Sequence, residues 1–402
     1  MADRRMLTRV VVRNYKSIGA CDVSPAQLCF LVGANGSGKS NFLDALRFVS
    51  DSLNYSIDHA LRDRGGIGDV RRRSGGHPTH FGIRLEFALA EWRGHYAFTV
   101  GAKPQHGFEV QSEECHVVPL SGEGAHYYKV ERGRVRRSTV PLPPVAAADR
   151  LYLVTVSGLE AFRVVYDVLS TNGFYNLNPE AIRDLQPPDP GPILKRDGSN
   201  AASILHHLSV NAPDFKERIE RYLGKVVPGV VGVVRRQIGS RETLEFRQKI
   251  RGAQHPWRFF ANNMSDGTLR ALGVLLALFQ GAAQNGAMQR LVGIEEPEVA
   301  LHPAAVGVLI DGLRDAAERA QILVTSHSPD LLDNDEISAD SIIAVVLEDG
   351  ESRIGPLDEY GRSALREHLY TAGELLRMNQ LDPDPDLSNP KSSQLNLFGP
   401  SA

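Results

Sequence analysis

Cysteine is scarce in this chain. Cys21, Cys29 and Cys115 are the only three in 402 residues, an odd number with no CxxC pair. A disulfide framework and a paired-cysteine zinc site are thereby excluded, and a reducing, cytoplasmic setting is expected. Long apolar runs are missing as well. No stretch approaches the ~18 residues that cross a bilayer, so no membrane partner is expected. The opening MADRRMLTRVVVRNYKS has basic residues but no apolar signal core and reads as a first strand. Charge of either sign is not in excess. At a net −3, no whole-molecule field draws the chain to nucleic acid or lipid, and a polyanion must be met by a local patch. Heptads are absent from residues 156–258, which excludes a long coiled-coil arm there.

What is present is a pattern of alternating elements. LTRVVVRNY (7–15) and QLCFLVG (27–33) read as strands, and residues 39–53 carry apolar positions at helical spacing. From 79 to 140, short alternating runs broken by turn residues predict an antiparallel sheet. Residues 156–226 turn helical, and VVGVVRRQI with ETLEFRQKI predicts a hairpin. From 268 onward, helix, strand, helix and strand follow one another (TLRALGVLLALFQG, RLVGIEE, PAAVGVLIDGLRDAAERA, QILVTSH), which implies a largely parallel sheet. SALREHLYTAGELLRM (363–378) reads as one last amphipathic helix.

Residues 33–40, GANGSGKS, form a complete G-x4-G-K-S between a predicted strand and helix. Gly33, Gly36 and Gly38 permit the tight turn, with Asn35, Ser37 and Asn41 beside them. Lys39 reaches β/γ-phosphates, Ser40 can ligate Mg²⁺, and the helix N-terminus favours the anion. ATP or GTP binding is therefore expected. The strand RLVGIEEPE ends in two carboxylates, read as Glu295 for the metal and Glu296 for the attacking water. One strand–helix–strand unit later, His327 closes QILVTSH, where its imidazole can meet the γ-phosphate or the water. Ser265, Asp266 and Gly267 precede an apolar helix. They read as an N-cap and equally as a second anion site, which one chain holding one triphosphate does not need.

The order GANGSGKSN, SDGTLR, IEEPE, TSHSP, together with the opening VRNYKSIGACDV, resembles the ABC-type ATPases. The likeness is to the branch holding RecF, the structural-maintenance-of-chromosomes (SMC) proteins and the overcoming-lysogenization-defect (OLD) enzymes, and it is shared by many bacterial AAA family ATPases. The resemblance implies an α/β fold: a P-loop ABC-type head with an antiparallel β subdomain and a helical insert. The segments expected are 1–155 (first half of the head), 156–258 (mostly helical insert), 259–380 (second half) and 381–402 (flexible tail). It further implies that Asn14, Lys16 and Ser17 lie near the nucleotide. Ser265 and Gly267 of one copy would cap the γ-phosphate held by Lys39 of another, so that ATP joins a homodimer that hydrolysis releases. Glu295 stands where most of these enzymes have Asp. A fused nuclease of the OLD kind is not expected, and any nuclease or toxin effector would be a separate chain. The role implied is DNA maintenance or phage defence; a scaffold for an effector, with no DNA contact, is the alternative. Gln186 is the candidate for the glutamine loop.

Two features remain. Arg62, Arg64, Arg71, Arg72 and Arg73 crowd a glycine-rich stretch, read as a DNA-backbone contact, an arginine finger, or a solvated loop balanced by Asp63 and Asp69. Further basic groups lie at Arg132–Arg137 and Arg235–Arg251. The chain then runs through an Asp- and Pro-rich spacer to QLNLF. Gln394, Leu395, Leu397 and Phe398 resemble the bacterial sliding-clamp-binding pentapeptide on a mobile tether. Folding back onto the protein's own surface is the alternative.

Overall fold

The first strand lies inside its sheet: Val10, Val11, Val12 and Tyr15, on both faces, are fully covered, and its buried backbone groups need partner strands on both edges. In the computed structural model, which describes residues 5–74, 78–104, 107–122, 124–280, 289–388 and 395–399, it has them. Leu7–Tyr15 pairs antiparallel with Ile18–Val23 on one side and His80–Ala88 on the other. The sheet continues, antiparallel throughout, through Trp92–Ala102, Phe108–Pro119, His126–Glu131 and Arg134–Ser138. The antiparallel sheet expected between 79 and 140 is thus present, with two further strands from the N-terminal segment.

The chain forms two units, residues 1–172 with 335–402, and residues 173–334. These cuts fall elsewhere than the expected segment boundaries at 155, 258 and 380. The first unit holds the antiparallel sheet and a second group of strands. There Leu28–Val32 runs parallel to Ile342–Glu348, which pairs antiparallel with Glu351–Pro356. Between Leu28–Val32 and the helix Lys39–Asn54 lies the glycine loop. That helix buries Phe48 against Tyr15, Phe81 and Phe98, with ring centroids 5.3–6.3 Å apart. Apolar aromatic area of this size anchors the loop's helix to the sheet.

In the second unit, Gly173–Tyr175, Leu291–Glu295 and Gln321–Ser326 run parallel, with Leu291–Glu295 in the middle. The helix Asp266–Phe279 is buried along nearly its whole length, and its Phe279 stacks on Tyr222 of Pro213–Val226 at 5.9 Å. The expected hairpin is Val230–Ile238 with Arg241–Gln248, and Trp257–Phe260 adds a third strand. Among the described residues the longest helix is Lys39–Asn54, of 16 residues, and none is long and apolar enough to cross a membrane.

Two expectations are corrected. The single helix over 363–378 is two, Glu359–Arg366 and Ala372–Arg377. His368 takes φ 53 after the first, and Thr371 with Glu374 forms a capping box that starts the second. The tail is not a free tether over its described part. Leu395 and Leu397 are 8% and 4% exposed, packed with Val11 and Ala20 of the antiparallel sheet. Gln394 lies outside the described residues.

Candidate nucleotide site

The loop of the first unit has the backbone that its sequence demands. Gly36 and Gly38 take φ 79 and 110, where a Cβ is strained. At Gly33 the reason is space, since a Cβ there would stand 1.9 Å from the Val345 carbonyl oxygen. Ala34, Asn35, Gly36 and Ser40 are exposed, whereas Ser37 and Lys39 are buried. Lys39 Nζ donates to the carbonyls of Gly33 and Ala34 at 2.8 and 2.9 Å, which centres its charge in the loop.

A relay of hydroxyls holds the loop from behind. Asn41 Nδ2 donates to Ser17 Oγ at 2.7 Å, and Ser352 Oγ donates to the Ser37 carbonyl at 2.6 Å. With the Ser352 proton so used, Ser17 donates to Ser352 Oγ across 2.6 Å. Ser17 thus stands directly behind the phosphate loop. Ser352 lies on Glu351–Pro356, a strand with no phosphate-binding motif, and sequence reading missed it.

The neighbouring turn is strained: Asn14 and Lys16 take φ 54 and 49. Lys16 Nζ reaches Asp44 at 2.6 Å, on the loop's own helix. Arg64 donates to the same carboxylate and to Asp51, and Tyr15 Oη donates to Asp44 at 2.8 Å. Burial alone would raise the Asp44 pKa, but the cations Arg64 and Lys16 outweigh it and hold the carboxyl at about 2. Arg64, with its side chain 2% exposed, is thus an internal strut; this corrects its reading as a DNA or finger residue. Arg72 pairs with Glu351 at 2.7 Å, Arg71 donates to the Pro78 carbonyl, Arg62 pairs with Asp58 and Arg73 with Asp69.

In the second unit, Glu296 follows the strand Leu291–Glu295 at φ 44, in the left-handed region. Its N–H donates to the Thr325 carbonyl and hydroxyl at 3.0 and 3.2 Å, which pins it there. Its carboxylate lies 3.1 Å from His327 Nδ1, so the two residues proposed for the water are already paired. Glu295 points elsewhere and pairs with Arg196 at 2.7 Å. Glu298 is buried and accepts from Ser326 Oγ, and burial raises its carboxyl above the usual range. Arg270, nine-tenths covered, donates to the carbonyls of Leu177, Glu295 and Glu296 at 2.8, 3.2 and 2.9 Å. Arg196, Glu298 and Arg270 were not singled out from the sequence, although Arg270 belongs to the quoted SDGTLR.

Ser265 caps the helix Asp266–Phe279 by accepting from Thr268 N, and Asp266 pairs with Arg183. Ser265 and Asp266 are exposed, so this helix end is open to solvent. Gly267 is packed too closely for a Cβ, which would lie 2.4 Å from the Ala300 carbonyl oxygen. Gln186 is 2% exposed and bonds only backbone groups, Ala181, Ile182, Gly198 and Ala202 among them, which is a structural role. Ser40 in the first unit and Glu295 in the second each offer an oxygen, the ligand type a hard cation takes; Glu295 is here paired with Arg196. Among the described residues no group of three His, Cys, Asp or Glu forms a ready metal cage.

A family model described as "AAA domain, putative AbiEii toxin, Type IV TA system" matches residues 28–91 and 179–333, more than half of the chain. Among curated proteins, the chain is 53% identical over 49 residues to the structural maintenance of chromosomes protein 4 of Dictyostelium discoideum, covering 11% of this chain and 4% of that protein. It is 46% identical over 50 residues to the DNA replication and repair protein RecF of Vibrio atlanticus (strain LGP32), covering 12% and 14%. The matches thus span a small part of either relative. Among solved structures, an Smc head bound to the C-winged helix domain of ScpA superposes with a TM-score of 0.53 at 15% identity, covering 89% of this chain and 99% of that one. The mixed α/β fold is that of ABC-type ATPase heads.

Proposed function

The chain belongs to this AAA-domain family, as an ABC-type ATPase of the RecF and SMC branch, and we propose that it works as a slow, ATP-operated switch. ATP·Mg²⁺ binds at GANGSGKS, with Lys39 on the β/γ-phosphates and loop amides around them. Glu296 polarises the attacking water and His327 orients it, each through the atoms that now face one another. Ser40 and Glu295 are the residues that would hold the metal, which would supply charge neutralisation on the phosphates. Arg270 keeps the strand end in register, so that Glu296 does not drift. The open helix end at Ser265, Asp266 and Gly267 caps the nucleotide of a second copy, which makes the ATP state a homodimer. The observation that carries this reading is the Glu296–His327 pair, held at a strained strand end.

Glu296→Gln tests it. On size exclusion with saturating ATP, the variant is expected to run as a dimer, and in ADP as a monomer. A monomer in both, with nucleotide shown to be bound, would remove the shared-site switch.

Within this reading the downstream role is DNA maintenance or phage defence, with recruitment to a sliding clamp through QLNLF once that segment is undocked. One observation favours the alternative of a scaffold for a separate effector. Arg64 and Arg72 are spent in covered pairs, Arg62 and Arg73 pair with Asp58 and Asp69 at the surface, and Arg235, Arg236 and Arg247 face Glu242 or Glu245. At Arg64 and Arg72, phosphate contact would have to displace a covered partner. DNA binding that falls steeply with salt supports the first role; none at low salt supports the second.

A further inference from the structure

We propose that one face of the antiparallel sheet is a sequence-selective peptide groove, whose resident occupant is this chain's own Leu395–Gly399, so that the tail is latched in cis and freed only by exchange. The groove has the parts of a binding site. Arg84, 2% exposed at the sheet centre, donates through Nη1 to the carbonyls of Leu397 and Gly399 at 3.1 and 3.0 Å. Arg13 donates to the Leu395 carbonyl at 3.3 Å. At the far end, the Gly399 N–H donates to Glu114 Oε1 at 2.8 Å. Arginines reading alternate carbonyls and a carboxylate reading an amide fix the direction of an extended segment.

Side-chain selection comes from the same face. Leu395 and Leu397 enter the apolar cluster with Val11 and Ala20, and Phe398 packs against it. Glycine at residue 82 leaves room for Leu397: a Cβ there would lie 2.4 Å from Leu397 Cδ1, and that side chain would have to shift. The Phe398 ring sits 5.7 Å from Lys129 Nζ, a cation–π contact. Asn396 is exposed between the two buried leucines, and its side chain accepts from the Phe398 N–H at 3.1 Å. The recognised pattern is Leu-x-Leu-Phe-Gly. A cleft of about 830 Å³, lined in part by His116, Tyr127, Arg136 and Phe398, continues the groove. Buried leucines and an engaged Phe398 are out of reach of any other receptor while the tail is docked.

The test uses the full-length chain and a fluorescein-labelled KSSQLNLFGPSA peptide, read by anisotropy. The wild-type chain should bind it weakly, because the tethered tail competes at high effective concentration. The double variant Leu395→Asp/Leu397→Asp empties the groove and should bind the peptide at least about tenfold more tightly. A peptide with Leu397→Ala should lose that gain, which is read without altering the protein. Adding Gly82→Ala to the double variant should reduce it, because the peptide's Leu397 must shift past the added methyl. Equal binding by wild-type and double-variant chains, or indifference to Leu397 in the peptide, would overturn the latch.

Discussion

Glu296 occupies the left-handed region at φ 44, a conformation that costs a non-glycine residue on the order of 1–2 kcal/mol. The two bonds to Thr325 hold it there, and its carboxylate is delivered to His327. Strain retained at such a point is consistent with a group held for chemistry. Glu296→Gln keeps shape and loses basicity, so phosphate release should drop by about 100-fold or more while nucleotide titrations stay near wild type. Asp44 makes a different kind of prediction. Its carboxyl is at about 2 in the folded chain against the ordinary 3.8, because Arg64 and Lys16 outweigh its burial. A depressed folded pKa adds stability that is complete above the unfolded value and is lost as pH falls from about 4 towards 2, here about 2 kcal/mol. Urea unfolding at pH 5 and pH 3 should show about half of that loss, about 1 kcal/mol, in wild type and less of it in Asp44→Asn. Arg64→Ala leaves the buried carboxylate without its main partner and should cost about 3 kcal/mol at neutral pH.

At the scale of elements, the phosphate loop depends on a strand far away in the chain. Glu351–Pro356 supplies Ser352, the only link between Ser17 and the Ser37 carbonyl among the bonds described here. Ser352→Ala removes two hydrogen bonds from a buried relay and should weaken ATP binding about fivefold, on the order of 1 kcal/mol; Ser352→Thr should restore most of it. The hairpin carrying this serine was legible, although it was not read: Asp349 and Gly350 take φ 50 and 76, the turn that an Asp-Gly pair between apolar runs favours. The strands Leu7–Tyr15 and Leu291–Glu295 were read closely, because period and apolar content are local properties. Trp257–Phe260 was not, since its four residues, three of them exposed, carry no pattern of their own.

For the molecule as a whole, nucleotide binding and stability are linked. ATP at about 100 times its Kd should raise the unfolding free energy by about 2.7 kcal/mol, and Lys39→Ala should abolish the effect in a thermal-shift titration. If ATP joins two copies through the exposed helix end at Ser265, then Ser265→Arg should block the dimer on size exclusion in the Glu296→Gln background. Its ATP-dependent stabilisation should persist, because the loop that binds ATP is untouched.

The sequence alone determined the local chemistry: a glycine loop between strand and helix, paired carboxylates at a strand end, a histidine one unit later, and a capped helix. Each is a contiguous stretch whose spacing already meets a physical need, so no distant residue is required to recognise it. Only the tertiary structure decided which charges are free and which are spent. Arg64 looks like its neighbours in a basic stretch, yet it is the one buried against Asp44 and Asp51. Ser352 supports a loop 315 positions away, and Arg84 holds a carbonyl 313 positions away. QLNLF reads as an exposed address until the sheet face that covers its leucines is in view. Partners so far apart leave no periodicity or spacing in the chain, because chain folding rather than local geometry brings them together.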